Sequence, residues 1–153
     1  MKENKLKEKL INGHSVIGPF CKISSTSLVE ISALAGFDFV ILDMEHGPLS
    51  IESVQNLLNA AQSHGLQVVV RIRENSPTNI LQILDIGVQS IQVPQINNVL
   101  DAQKVVNSSY YYPKGDRGMC RYVRSASYSK LNKNKYFDSC LLYTSPSPRD
   151  ATL

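Results

Sequence analysis

GFDFVILDMEHGPLS, residues 36–50, sets a glycine before an apolar run and ends the run on DMEHGP. Leu28, Ile31 and Leu34 precede it at helical spacing, which predicts an amphipathic helix stopped by Gly36. Glycine suits the left-handed position just past a helix because it has no Cβ to clash. The pattern returns twice. Ile51, Val54, Leu58 and Ala61 lead to Gly65 and then LQVVVRI, and Ile80, Ile83 and Leu84 lead to Gly87 and then VQSIQVP. Start signals agree: Ser50 is a candidate cap with Glu52 in the first turn, and Pro77 follows Ser76. SVIGPFCKI, residues 15–23, reads as a strand ahead of the first helix, and a fourth helix is expected over residues 98–106.

The strands read as nearly continuous apolar runs, which predicts burial on both faces by flanking helices. Alternating strands and helices imply a parallel sheet with right-handed crossovers. The expectation is an α/β fold of about four βα units. Both a doubly wound open sheet and part of a (β/α)₈ barrel fit. No GxGxxG or Walker loop follows any strand, which weakens the nucleotide-binding version.

The chain has 153 residues, 42% of them apolar and 19% charged. That is long enough for one core and excludes a coiled coil, a collagen-like repeat and a disordered polyelectrolyte. No apolar run approaches the ~20 residues that cross a bilayer. MKENKLKEKL at the start has no apolar segment behind its charges, so no secretory signal is expected and the expected location is cytoplasmic. Cys21, Cys120 and Cys140 are too scattered for a disulfide framework or a CxxC metal site. Residues 101–139 hold eight Lys/Arg against three Asp/Glu, interleaved with tyrosines such as Tyr112, Tyr122 and Tyr128. Basic plus aromatic is one signature of nucleic-acid binding. Without a stripe at helical spacing or an RNA-binding motif, the favoured reading is a solvated loop and surface helix or an anion site, with no nucleic-acid and no membrane partner.

In either architecture, functional groups gather at the C-terminal ends of strands. Asp43, Glu45 and His46 follow FVIL, Arg71 follows VVV, and Pro94 and Gln95 follow IQV. A buried strand has no packing reason to end in DMEH. Taken singly, Asp43 could cap a turn and Arg71 could pair with it. Taken together, the two strand ends point to a site in which His46 transfers a proton and Arg71 holds an anionic substrate.

GFDFVILDMEHGPLS, VVVRIRENSP, LDIGVQSIQVPQI and YYPKGDRG, in this order across residues 5–139, resemble the HpcH/HpaI aldolases. The pairing of D-x-E-H-G/A-P with the later Y-x-P-x-G-x-R-G is specific to that resemblance. It implies the N-terminal half of a (β/α)₈ TIM barrel. It further implies a class II pyruvate aldolase, a carbon–carbon lyase that cleaves a 4-hydroxy-2-oxo acid or a 2-keto-3-deoxy sugar acid to pyruvate and an aldehyde. On the resemblance, His46 matches the general acid/base and Arg71 the residue that stabilises the enolate. Asp85 matches a carboxylate that raises the basicity of the histidine. The residue pattern itself puts Asp85 at a helix C-terminus, where capping or loop pairing beside Gly87 is the competing reading. Asp43 and Glu45 are candidates to support the histidine or a metal-bound water, and Arg117 to support a neighbouring subunit's site. The family setting is a cytoplasmic homo-oligomer, often a hexamer, acting on a small 2-oxo acid.

The resemblance also implies a divalent metal (Mg, Mn or Co), held by a Glu and an Asp in QIE-type and GPxDL-type motifs of the fifth and sixth strands. Neither motif occurs in this sequence, so these residues are not expected to bind the metal or to be active alone. A complete barrel takes ~250 residues. CLLYTSPSPRD, residues 140–150, reads codon for codon as a translated sequencing adapter. The expected division is therefore a partial barrel domain over 1–139 and read-through over 140–153. The competing functions are a citrate-lyase-β-like CoA-ester lyase and a non-catalytic fragment.

Overall fold

The computed structural model describes residues 4–132 and residue 136. The expected boundary at 139/140 lies outside them. The chain divides into two compact units, one over residues 2–71 and one from Ile72 onward.

The first unit holds α1 (Lys5–Ile11), β1 (Phe20–Cys21), α2 (Thr26–Leu34), β2 (Phe39–Asp43), α3 (Ile51–Ser63) and β3 (Gln67–Arg71). β1 pairs parallel with β2, and β2 with β3. Ser50 caps α3 as its position predicts, accepting from Ser53 N–H at 3.1 Å. The same helix ends where Gly65 takes φ +73°. There Leu66 N–H donates to Ala61 C=O at 2.9 Å and Gly65 N–H to Gln62 C=O at 3.4 Å, so the last-turn carbonyls are satisfied.

Three expectations change. The first strand shrinks from nine residues to Phe20–Cys21, and α1 precedes it in a stretch read only for its charge. The strands are not equally buried on both faces. Val40, Leu42, Val68 and Val70 are buried, while Ile41 and Val69 on the other side are half-buried. Successive residues of a strand point to opposite faces, so the register Phe20↔Ile41↔Val69 puts these three on one face. In α2, the face that packs is Val29 and Ser32, and the apolar line Leu28, Ile31, Leu34 stands exposed.

The second unit holds α4 (Pro77–Asp85), β4 (Ser90–Gln92), α5 (Val99–Ser109) and a 3₁₀ turn (Arg124–Ala126). Pro77 opens α4, and Asn98 caps α5 by accepting from Asp101 N–H at 3.0 Å. Within the second unit, Ile72 donates its N–H to Gln92 C=O at 3.1 Å. Within the basic and aromatic stretch 101–139, α5 runs to Ser109 with Gln103 and Lys104 exposed, and the described residues after it form a loop with the 3₁₀ turn. Tyr111, Ala126 and Tyr136 form a small core there, with the two tyrosine hydroxyls 3.0 Å apart. Arg124 donates to Ile86 C=O, and Arg121 to the Ser129 and Leu131 carbonyls. These cations tie the loop down.

Gly65→Ala is expected to lower stability by about 1 kcal/mol, read as a reduced urea midpoint. A Cβ there meets nothing within 4 Å, so only the left-handed backbone opposes it.

Candidate active site

β2 and β3 end in register at Asp43 and Arg71. Asp43 has no exposed surface. A carboxylate in such a place must be paired and hydrogen-bonded, and Asp43 is both. Arg71 Nε donates to its Oδ1 at 2.9 Å and Arg71 Nη2 to its Oδ2 at 2.7 Å. The backbone N–H groups of Glu45 and His46 donate to Oδ1 at 3.1 and 3.2 Å. Burial by itself pushes this carboxyl up. The Arg71 guanidinium and the two amides outweigh burial and hold it at about 2. The same bond to Asp43 pushes Arg71 above its ordinary value. The turn-capping and pairing readings of Asp43 are thus both realised, and they build the site.

Pulled onto Asp43, the loop after β2 presents its side chains to Arg71. Glu45 Oε2 lies 3.2 Å from Arg71 Nη1, and Glu45 Oε1 lies 3.6 Å from His46 Nε2. One carboxylate therefore stands between the guanidinium and the imidazole. The His46 side chain is 63% exposed and open to a ligand. Arg71 donates two hydrogen bonds to Asp43 and forms an ion pair with Glu45, which leaves at least two of its five N–H groups for a ligand. Gly47 makes the loop possible, since a Cβ there would fall 2.3 Å from Asp43 C=O.

The end of β1 brings two residues that the sequence reading did not single out. The Phe20 ring lies under Arg71, with Cζ 5.0 Å from its centroid. Lys22 Nζ lies 3.7 Å from Asp43 Oδ2. The rule that ranked DMEH and RIREN, applied to FCKI, points to Lys22 as well. Residues 15–23 read as one strand hide that end, which lies at Cys21.

Asp85 and Arg117 belong to the second unit. Asp85 is the last residue of α4, as the residue-level reading had it, on the side from which the chain enters β4. Arg117 donates to it through Nη2 at 2.6 Å and lies over the Tyr111 ring at 4.7 Å. Among the described residues, no group of three or more His, Cys, Asp or Glu side chains could hold a metal ion. Asp43 and Glu45 are engaged by Arg71. This cluster does not fit a metal, and no step is drawn through one. None of the described helices is long and apolar enough to cross a membrane.

Parallel βα units with an acidic, histidine-bearing strand end beside an arginine define an α/β enzyme-like site. Residues 17–142 match the HpcH/HpaI aldolase/citrate lyase family, and the chain belongs to that family. It is 37% identical over 128 residues to a pyruvate aldolase of Rhizobium etli, across 84% of this chain and 50% of that protein. It is also 37% identical over 125 residues to a 4-hydroxy-2-oxo-heptane-1,7-dioate aldolase of Escherichia coli, across 82% of this chain and 48% of that one. The crystal structure of an HpcH/HpaI aldolase from Desulfitobacterium hafniense DCB-2 aligns with a TM-score of 0.82 at 26% identity. That alignment covers 92% of this chain and 55% of that one. The chain spans about half the length of the curated relatives it matches.

Asp43→Asn is expected to destabilise the protein by about 3 kcal/mol in urea unfolding, because it leaves Arg71 without its buried counter-charge. The native Asp43 carboxyl lies below its ordinary 3.8, so its contribution is complete above pH ~4. About 2 kcal/mol should be lost as the pH falls from ~4 toward 2. Acid unfolding of the wild type and of Asp43→Asn should therefore converge across that window.

Proposed function

We propose that the protein is a pyruvate aldolase that cleaves a 4-hydroxy-2-oxo acid to pyruvate and an aldehyde. The observation that carries the reading is Glu45, within 3.2 Å of Arg71 and 3.6 Å of His46, which puts a base and a cation on one rim of the sheet. The reaction asks for that pair. The proton leaves the 4-hydroxyl, C4–O becomes a carbonyl, and the C3–C4 bond breaks. Its electron pair runs into the enolate of pyruvate, and protonation at C3 completes the turnover.

Histidine suits the proton transfer, since imidazole gains and loses protons near neutral pH. His46 is exposed enough to reach a substrate hydroxyl, and Glu45 stands ready to steady the imidazolium. Charge builds on the keto oxygen, where a fixed cation with unused donors lowers the barrier. Arg71 has two such donors, in a guanidinium that Asp43 and Phe20 hold still. Asp85 keeps the role the resemblance gives it as a proposal, and its own contact is Arg117. The divalent metal would take its ligands from residues other than these. We place the enzyme in the cytoplasm as a homo-oligomer on the same ground.

The test uses the complete gene product with Mg²⁺ or Mn²⁺ and follows pyruvate release by a coupled assay. His46→Ala is expected to lower kcat by about 10²- to 10⁴-fold, and Arg71→Lys by about 10²-fold. An undiminished rate in His46→Ala, or no pyruvate from any 4-hydroxy-2-oxo acid, would overturn the reading.

A further inference from the structure

Lys22 is one residue past β1. The register Phe20↔Ile41, continued by two, sets it in the row of Asp43 and Arg71, on the same face of the sheet. Its ammonium is half-exposed and lies 3.7 Å from Asp43 Oδ2, beyond hydrogen-bond reach. Both Asp43 oxygens already accept from Arg71. Arg71 is paired with two carboxylates, whereas Lys22 makes one long ion pair and keeps its three N–H donors. The base of its side chain is packed. The loop after β2 closes on it so tightly that a Cβ on Gly47 would lie 3.3 Å from the Cα and Cβ of Lys22.

We propose that Lys22 is a specificity-determining residue that binds a second carboxylate, carried on the far end of the oxo-acid substrate. The proposal rests on the aldolase reading for the identity of that substrate. Arg71 has its donors committed to the oxygen that gains charge, so a further anionic group on the same molecule needs another cation on the same rim. Lys22 is a compact point charge, already weakly shared with Asp43, and can meet one further carboxylate.

Two measurements on the complete gene product test it. In the first, kcat/KM is compared for 4-hydroxy-2-oxoheptanedioate and 4-hydroxy-2-oxoheptanoate, which differ only in the terminal carboxylate. Lys22→Met is expected to lower the diacid-to-monoacid ratio about 10-fold, through KM, with Lys22→Arg preserving it. The wild-type ratio should also fall with added salt. In the second, calorimetry gives Kd for 2-oxoglutarate and 2-oxopentanoate in the wild type and in Lys22→Met. A preference for 2-oxoglutarate that the substitution removes supports the proposal even if no 4-hydroxy-2-oxo acid yields pyruvate, in which case the aldolase reading fails and the carboxylate site stands. An unchanged ratio in Lys22→Met, or calorimetry that finds no preference in the wild type, overturns it.

Discussion

A carboxylate with no access to solvent is costly unless its charge is met, and Asp43 is met first by Arg71 of the neighbouring strand, with Lys22 3.7 Å away. Arg71 supplies two donors at 2.9 and 2.7 Å, and the register of β2 with β3 brings the two residues together. The pair fixes more than itself. Asp43 collects the amides of Glu45 and His46, so the loop that carries the histidine is anchored to the residue that orients the arginine. Remove the pair and the two chemical groups lose their common reference.

The same constraint explains why small features recur around the pair. Gly47 is needed because the loop turns back onto the Asp43 carbonyl, and Phe20 offers a flat surface against one face of the guanidinium. In the second unit an analogous economy holds with other residues. Arg117 is buried against Tyr111 and Asp85, and Arg124 reaches the Ile86 carbonyl, so the loop after α5 is bound to the end of α4. Cations that look like a basic surface in one dimension are internal ties in three.

Local signals carried most of the fold. The glycines that end α2, α3 and α4 are legible because a left-handed residue is a property of a few neighbouring atoms, and the cap at Ser50 is equally local. The ends of β2 and β3 were legible for a related reason, since charge at the end of an apolar run has no packing explanation. Less was visible where partners are distant in sequence. The apolar line on α2 identified the helix but not its packed face, because which side is covered depends on α3. Lys22 was hidden because its meaning comes from lying across from Asp43, a pairing 21 positions away that only the β1–β2 register reveals. Asp43 was visible as a residue but not as the organiser, since its burial follows from the sheet and the loop around it.

Glu45 works as a pivot. While the imidazole is neutral, this carboxylate leans electrostatically on the guanidinium alone. A proton on the ring would set a second cation 3.6 Å from this carboxylate, beside Arg71 at 3.2 Å. In the proposed reaction, the proton reaches His46 as negative charge appears on the substrate, so Glu45 would then stand between two cations that serve the two halves of one step.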